Sequence, residues 1–151
     1  MARIRTATAA DLPVVAQLIR DLAEYEHMLD EVVWDEADLG ETLFGPGAVP
    51  TTLLVEDDDG VVGLAIWYRT YSTFEGRPGI WLEDLFVRPG ARGRGHGKAL
   101  LLHLFDLAAP GRVEWSVLDW NQPSIDFYES LGARAVAGWT RYRKSAGSDR
   151  D

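Results

Sequence analysis

The chain has 151 residues, 46% of them hydrophobic, enough for one domain with a real core. It has no cysteine, which excludes disulfides, thiolate zinc sites and a cysteine nucleophile. A net charge of −9 argues against nonspecific nucleic-acid binding, and no apolar run forms a signal sequence or approaches the ~20 residues of a membrane-spanning helix.

In chain order, Arg3 to Thr6 is predicted as a first strand. Thr8-Ala9-Ala10-Asp11 reads as a capping arrangement, with Pro13 in the first turn where its missing N–H costs little. Leu12, Val15, Leu18, Ile19 and Leu22 recur at helical spacing, so a helix runs to about Tyr25. A shorter helix follows Asp35 and ends at Gly45-Pro46-Gly47. Thr51 to Glu56 and Val61 to Thr70 read as a hairpin joined by Asp57-Asp58-Asp59-Gly60, which is expected to be no more than an acidic turn. Tyr71 to Pro78 reads as a loop. Gly79 to Val87 is the next strand, Gly97 to Ala109 a helix, and Arg112 to Leu118 a strand. Pro123 to Leu131 is a short helix, and Trp139 to Arg143 a last strand before a polar end. The result is an α/β (α+β) arrangement, a central mixed sheet flanked by helices.

Charge is divided along this chain. From Asp21 to Tyr68 there is no Lys or Arg, whereas from Leu85 to Phe105 every formal charge is positive. One region suits a cation and the other an anion. The positive region contains a strand, a loop of glycine and arginine (Arg92-Gly93-Arg94-Gly95-His96-Gly97-Lys98) and the start of a helix. Glycines let the backbone approach a ligand and turn its N–H groups toward one point, and the helix adds the positive end of its dipole. Such a loop suits a phosphate or diphosphate. The Walker A spacing fails, because Arg92 stands where its first glycine is needed and Ala99 follows the lysine. The dinucleotide fingerprint fails because its third glycine falls on Lys98 or Leu100. What remains is Arg-x-x-Gly-x-Gly at Arg92, Gly95 and Gly97.

That pattern resembles the coenzyme A loop of the GCN5-related N-acetyltransferases (GNAT). The likeness extends through Ala23-Glu24-Tyr25-Glu26, Tyr71-Ser72-Thr73-Phe74, Trp81-Leu82-Glu83-Asp84-Leu85-Phe86-Val87 and Asp119-Trp120-Asn121-Gln122-Pro123-Ser124-Ile125-Asp126-Phe127-Tyr128. Taken together, these segments are similar to the spermidine/spermine (diamine) and thialysine N-acetyltransferases. The resemblance implies the GNAT, or acyl-CoA N-acyltransferase, fold. It implies one such domain over residues 1–144, with 145–151 a frayed polar tail. It also implies acetyl-CoA as co-substrate, no metal, a small amine as partner, a homodimer, and a cytoplasmic enzyme that engages neither nucleic acid nor membrane.

Acetyl transfer to an amine poses three physical problems, and the resemblance assigns residues to each. For holding the coenzyme it points to backbone groups of Leu85, Phe86 and Val87, to the loop Arg92, Gly93, Arg94, Gly95, His96, Gly97 and Lys98, and to Asn121 and Ser124. The amine must be neutral to attack, yet with a pKa near ~10 only about one molecule in a thousand is neutral at pH 7. Glu83 is the implied acid that binds the ammonium or takes its proton, with Tyr25, Glu26, Trp115 and Ser116 lining the amine site. The leaving thiolate needs a proton, and Tyr128 is the implied acid, since a phenol near ~10 is protonated at pH 7. His27, His96 and His103 show no metal-ligand spacing. One departure bears on substrate. Polyamine-acetylating members carry acids just before the tryptophan matched by Trp139, and here that stretch is Arg134-Ala135-Val136-Ala137-Gly138. A shorter diamine or a lysine-like amino acid fits as well as a polyamine. A peptide acetyltransferase and a non-catalytic acyl-CoA-binding module are the rival readings.

Overall fold

The computed structural model describes residues 2–147, which fall into two compact units, one running to Ser116 and the other starting at Val117. The first unit carries β1 (Arg3–Thr6), α1 (Leu12–Tyr25), α2 (Glu36–Phe44), β2 (Thr51–Asp57), β3 (Gly60–Ser72), β4 (Arg77–Val87), α3 (His96–Ala108) and β5 (Val113–Glu114). The second carries α4 (Gln122–Ser130). The strands lie in the order β1-β2-β3-β4-β5, antiparallel throughout except that β5 pairs parallel to β4. The mixed sheet expected from sequence is therefore present. No helix among the described residues is long and apolar enough to cross a membrane.

The start of α1 is tied to the sheet by charge. Thr8 N–H donates to the Asp11 carboxylate at 2.8 Å, and the Arg5 guanidinium forks onto both Asp11 oxygens at 2.8 Å while also reaching Glu56 on β2. Those bonds, that from Arg5 first, hold the Asp11 carboxyl far below the usual carboxylate range. Val15, Leu18 and Leu22 then bury one stripe of α1 against Leu54, Leu64, Ile66 and Phe86 of the sheet. Strand alternation sends Leu53, Val55 and Ala65, also buried, to the opposite face. There α3 packs on β3 and β4, with Leu100, Leu101 and Leu104 fully buried. A central strand covered on both faces tolerates truncation poorly. Leu54→Ala is expected to cost about 2–5 kcal/mol, read as a lower urea midpoint at unchanged slope.

Three expectations change. Tyr71 and Ser72, and Arg77 and Pro78, belong to the paired strands, because a tight turn joins them: Ser72 accepts N–H bonds from Glu75 at its hydroxyl (3.0 Å) and from Gly76 at its carbonyl (2.8 Å). The strand expected over Arg112 to Leu118 shrinks to Val113–Glu114, paired with Ile80 and Trp81 alone. Trp139 to Arg143 forms no strand among the described residues, and Trp139 and Tyr142 are exposed. Apolar alternation reports a period of two; it does not report whether a sheet edge is available to pair with. Of the polar end, residues 148–151 lie outside the described residues.

The shortness of β5 matters most for function. Beyond Trp81, β4 runs on to Val87 with β3 on one side and, among the described residues, no strand on the other. The glycine loop leaves from that open end.

Candidate active site

The loop after β4 begins with a 3-10 turn over Pro89–Ala91 and then passes through Gly93 (φ +81°) and Gly95 (φ +83°) in the left-handed region. Side chains with a Cβ are disfavoured there, so glycine is required for the path. A Cβ built on Gly90, Gly93 or Gly95 would meet no protein atom within 4 Å, so these positions face open space. The first bond of α3 runs from Ala99 N–H to Gly95 O at 2.9 Å. The N–H groups of His96, Gly97 and Lys98 therefore have no partner within the helix and project from its positive end. Such an arrangement suits an anion, and the edge of β4 at Leu85, Phe86 and Val87, which no strand among the described residues covers, leads toward it. Arg92 is braced across its foot: Nε donates to Val87 O at 3.0 Å, and the guanidinium lies 5.2 Å from the Tyr25 ring and 5.5 Å from that of Phe86. The side chains of Arg94 and His96 turn to Asp57 instead of outward, at 2.7 and 2.9 Å. The turn Asp57-Asp58-Asp59-Gly60 is thus more than a solvated bend.

A pocket of about 320 Å³ is lined by residues of α1, α2, β3, β4 and the loops around α2, and none of the acids between Asp21 and Tyr68 lines it. Its walls include Ile19, Trp34, Leu43, Ile66 and Tyr68, and its acids are Glu83 and Asp84. Consecutive strand residues normally point to opposite faces. Here Ile66 pairs with Asp84 and Trp67 with Leu82, which leaves Glu83 as the extra residue of a β-bulge. The bulge brings both carboxylates to one pocket. Burial, and then the charges of Glu83 and Glu26, push the Asp84 carboxyl up to about 7. Burial also raises Glu26. Glu26 follows the last residue of α1, and His27 ends the helix with φ 59°. Glu26, the residue that closes α1, does not line the pocket but lies near enough to add to the rise at Asp84. An ammonium ion relieves all of these repulsions at once.

The glycine loop follows β4, and Glu83 and Asp84 of the same strand line the acidic, otherwise apolar pocket. Residues 16–133 match the acetyltransferase (GNAT) family. The chain belongs to that family. It is accordingly an N-acetyltransferase. It is 35% identical to the thialysine N-epsilon-acetyltransferase of Bos taurus over 93% of this chain and 90% of that protein. It is 31% identical to an L-ornithine N5-acetyltransferase of Arabidopsis thaliana over 91% of this chain and 81% of that one. An integron cassette protein from the mobile metagenome of V. cholerae superposes with a TM-score of 0.78 and 25% identity, covering 96% of this chain and 93% of that one.

In this acetyltransferase the remaining residues singled out from sequence have defined places. Trp115 stacks on Phe105 of α3 with ring centroids 6.2 Å apart, and Ser116 is exposed beside it. Asn121, Ser124 and Tyr128 lie together in the second unit. Asn121 is buried at the start of α4, and its carbonyl accepts the Ile125 N–H at 3.0 Å. Tyr128 is half-buried, its ring tilted against Phe127 at 5.6 Å. Asp84 is the group sequence reasoning passed over. The signal was present in two adjacent acids inside the apolar run Trp81 to Val87, since alternation alone would bury one of them.

Glu83 has its own support. Trp81 Nε1–H donates to Glu83 Oε1 at 2.9 Å. Trp81→Phe keeps an aromatic ring at this position, though a smaller one, and removes the donor, so Glu83 loses one fixed contact worth about 1 kcal/mol. The acetyltransferase is expected to lose roughly three- to tenfold in kcat/KM for the amine, with KM for the acyl donor unchanged. Steady-state kinetics with each substrate varied in turn checks this.

Proposed function

We propose that this acetyltransferase moves the acetyl group of acetyl-CoA to a primary amine of a small cationic substrate, by direct attack with both substrates bound. The observation that carries the reading is the bulged pair Glu83 and Asp84 on the wall of an apolar pocket, with Glu26 close enough to perturb Asp84. Glu83 and Asp84, with the charge of Glu26 acting on Asp84, favour binding of the ammonium form, which is the abundant form at neutral pH. A carboxylate poised near pH 7 is then matched to taking the proton that the attacking nitrogen must lose. Glu83, held by Trp81, orients the ammonium.

Acetyl-CoA, when bound, supplies an acyl carbon activated as a thioester. The backbone N–H groups of residues 93–98 suit its diphosphate, and the free edge of Leu85, Phe86 and Val87 suits the amides of its pantetheine arm as an added strand. Gly93 and Gly95 in the left-handed region, with open space around them, support that fit. Tyr128 gives its phenolic proton to the leaving sulfur. No cysteine is present, so no thiol-bound acyl-enzyme can form.

Two relatives are named for amino acids that carry a side-chain amine, thialysine and ornithine. The stretch Arg134 to Gly138 has no acid to anchor a further ammonium. Both facts favour a short diamine or a lysine-like amino acid over spermine. Thiol release from acetyl-CoA, measured with a panel of ornithine, lysine, thialysine, short diamines, spermine and lysine-containing peptides, tests this. The expected order places the amino acids and short diamines first. Preference for peptides would replace the small-amine reading, and tight coenzyme binding without turnover of any amine would make the chain a binding module.

A further inference from the structure

We infer that Asp57 is a positioning residue for the coenzyme loop: from the end of β2, its carboxylate holds Arg94 and the buried His96 and so fixes the backbone of residues 93–98 in the form that faces an anion. The inference rests on the reading of that loop as the diphosphate site.

The contacts are dense and come from far along the chain. Asp57 Oδ2 accepts from Arg94 Nη1 at 2.7 Å and lies 2.9 Å from His96 Nε2. Its Oδ1 accepts the Asp59 N–H at 2.8 Å. The side chains of His96 and Asp57 are 5% and 9% exposed, so this is a built junction inside the protein, unlike a surface ion pair. Arg94 is committed within the protein as well: Nη1 also reaches Asp59 at 2.8 Å, and Nη2 donates to Gly90 O at 3.2 Å, lacing the two ends of the loop together. The side chains at 94 and 96 are thus drawn to the hairpin. The residues between and beside them, Gly93, Gly95 and Gly97, carry no side chain, and what they present to a ligand is bare backbone.

Two physical effects predict opposite outcomes when this carboxylate is neutralised. Charge alone says that removing a negative group near a diphosphate tightens its binding. Positioning says that releasing Arg94 and His96 lets the loop relax and scatters the N–H groups, which weakens binding. A cradle of oriented amides loses most of its worth once disordered, so the second effect is the larger.

Asp57→Asn tests this in the full chain with two acyl donors, acetyl-CoA and S-acetyl-pantetheine, the second lacking the diphosphate. The expected result is a KM for acetyl-CoA raised about tenfold or more, kcat within about threefold, and KM for S-acetyl-pantetheine unchanged. An unchanged or lowered KM for acetyl-CoA overturns the inference, and so does an equal rise for both donors, which would mean a general loss of structure. Asp59→Asn serves if the first variant does not fold, because Asp59 is 64% exposed and contributes only one of the Arg94 bonds. A two- to threefold rise confined to acetyl-CoA is expected there, and a fall would sink the inference. Calorimetry separates the two layers of the argument. A wild-type chain that binds no coenzyme A removes the loop reading itself, whereas a wild type and an Asp57→Asn variant that bind it equally remove only Asp57.

Discussion

Replacing Asp84 by Asn together with Glu83 by Gln is expected to lower kcat/KM for the amine by roughly 10²–10⁴-fold, the range for losing a general base and its charged hydrogen bonds. Binding of the acyl donor should be untouched, since the loop and the free edge of β4 do not use these side chains. The wild-type profile should rise through about pH 7 as Asp84 ionises, and Asp84→Asn alone should lose that limb. Stability moves the other way. A carboxyl whose folded-state pKa is raised keeps a proton that the unfolded chain has released. Asp84 therefore favours folding below the unfolded pKa and withdraws that contribution as pH rises through about 7. An asparagine never ionises. Asp84→Asn is expected to match wild type near pH 4 and to be more stable at pH 8, by up to about 4 kcal/mol. Less activity with more stability above pH 7 is the signature of a strained functional carboxylate. A variant that loses stability at pH 8 would make Asp84 a structural group instead.

Tyr128→Phe should cut turnover by roughly ten- to a thousand-fold while coenzyme affinity stays nearly intact. The ring, tilted against Phe127 on α4, keeps its packing in the variant, and only the phenolic O–H is removed. A group that protonates the leaving sulfur acts in the transition state, so kcat should fall while the coenzyme Kd, read by calorimetry, does not. Turnover equal to wild type would take Tyr128 out of the acid role.

The order of the elements as far as α4 was readable because each rests on local rules: helical periodicity in Leu12 to Leu22, the capping arrangement of Thr8 to Asp11, the Gly45-Pro46-Gly47 stop. The loop was equally legible, since its chemistry lies in a contiguous run of glycines and cations whose backbone path follows from residue type. Glu83 was picked out by its context, but its partnership with Asp84 was not. Two neighbouring acids in a strand should face apart, and they line one pocket only because β3 pairs with β4 around an extra residue. That register is a property of two strands at once. The same holds for Asp57, whose partners lie 37 and 39 residues ahead, and for Trp139 to Arg143, whose alternation found no edge. The sequence by itself determined which residues can bend, bind an anion or carry charge, because those capacities belong to single side chains and short backbone runs. Only the tertiary structure decided which charges meet and on which face, because strand register and burial are set by segments far apart in the chain.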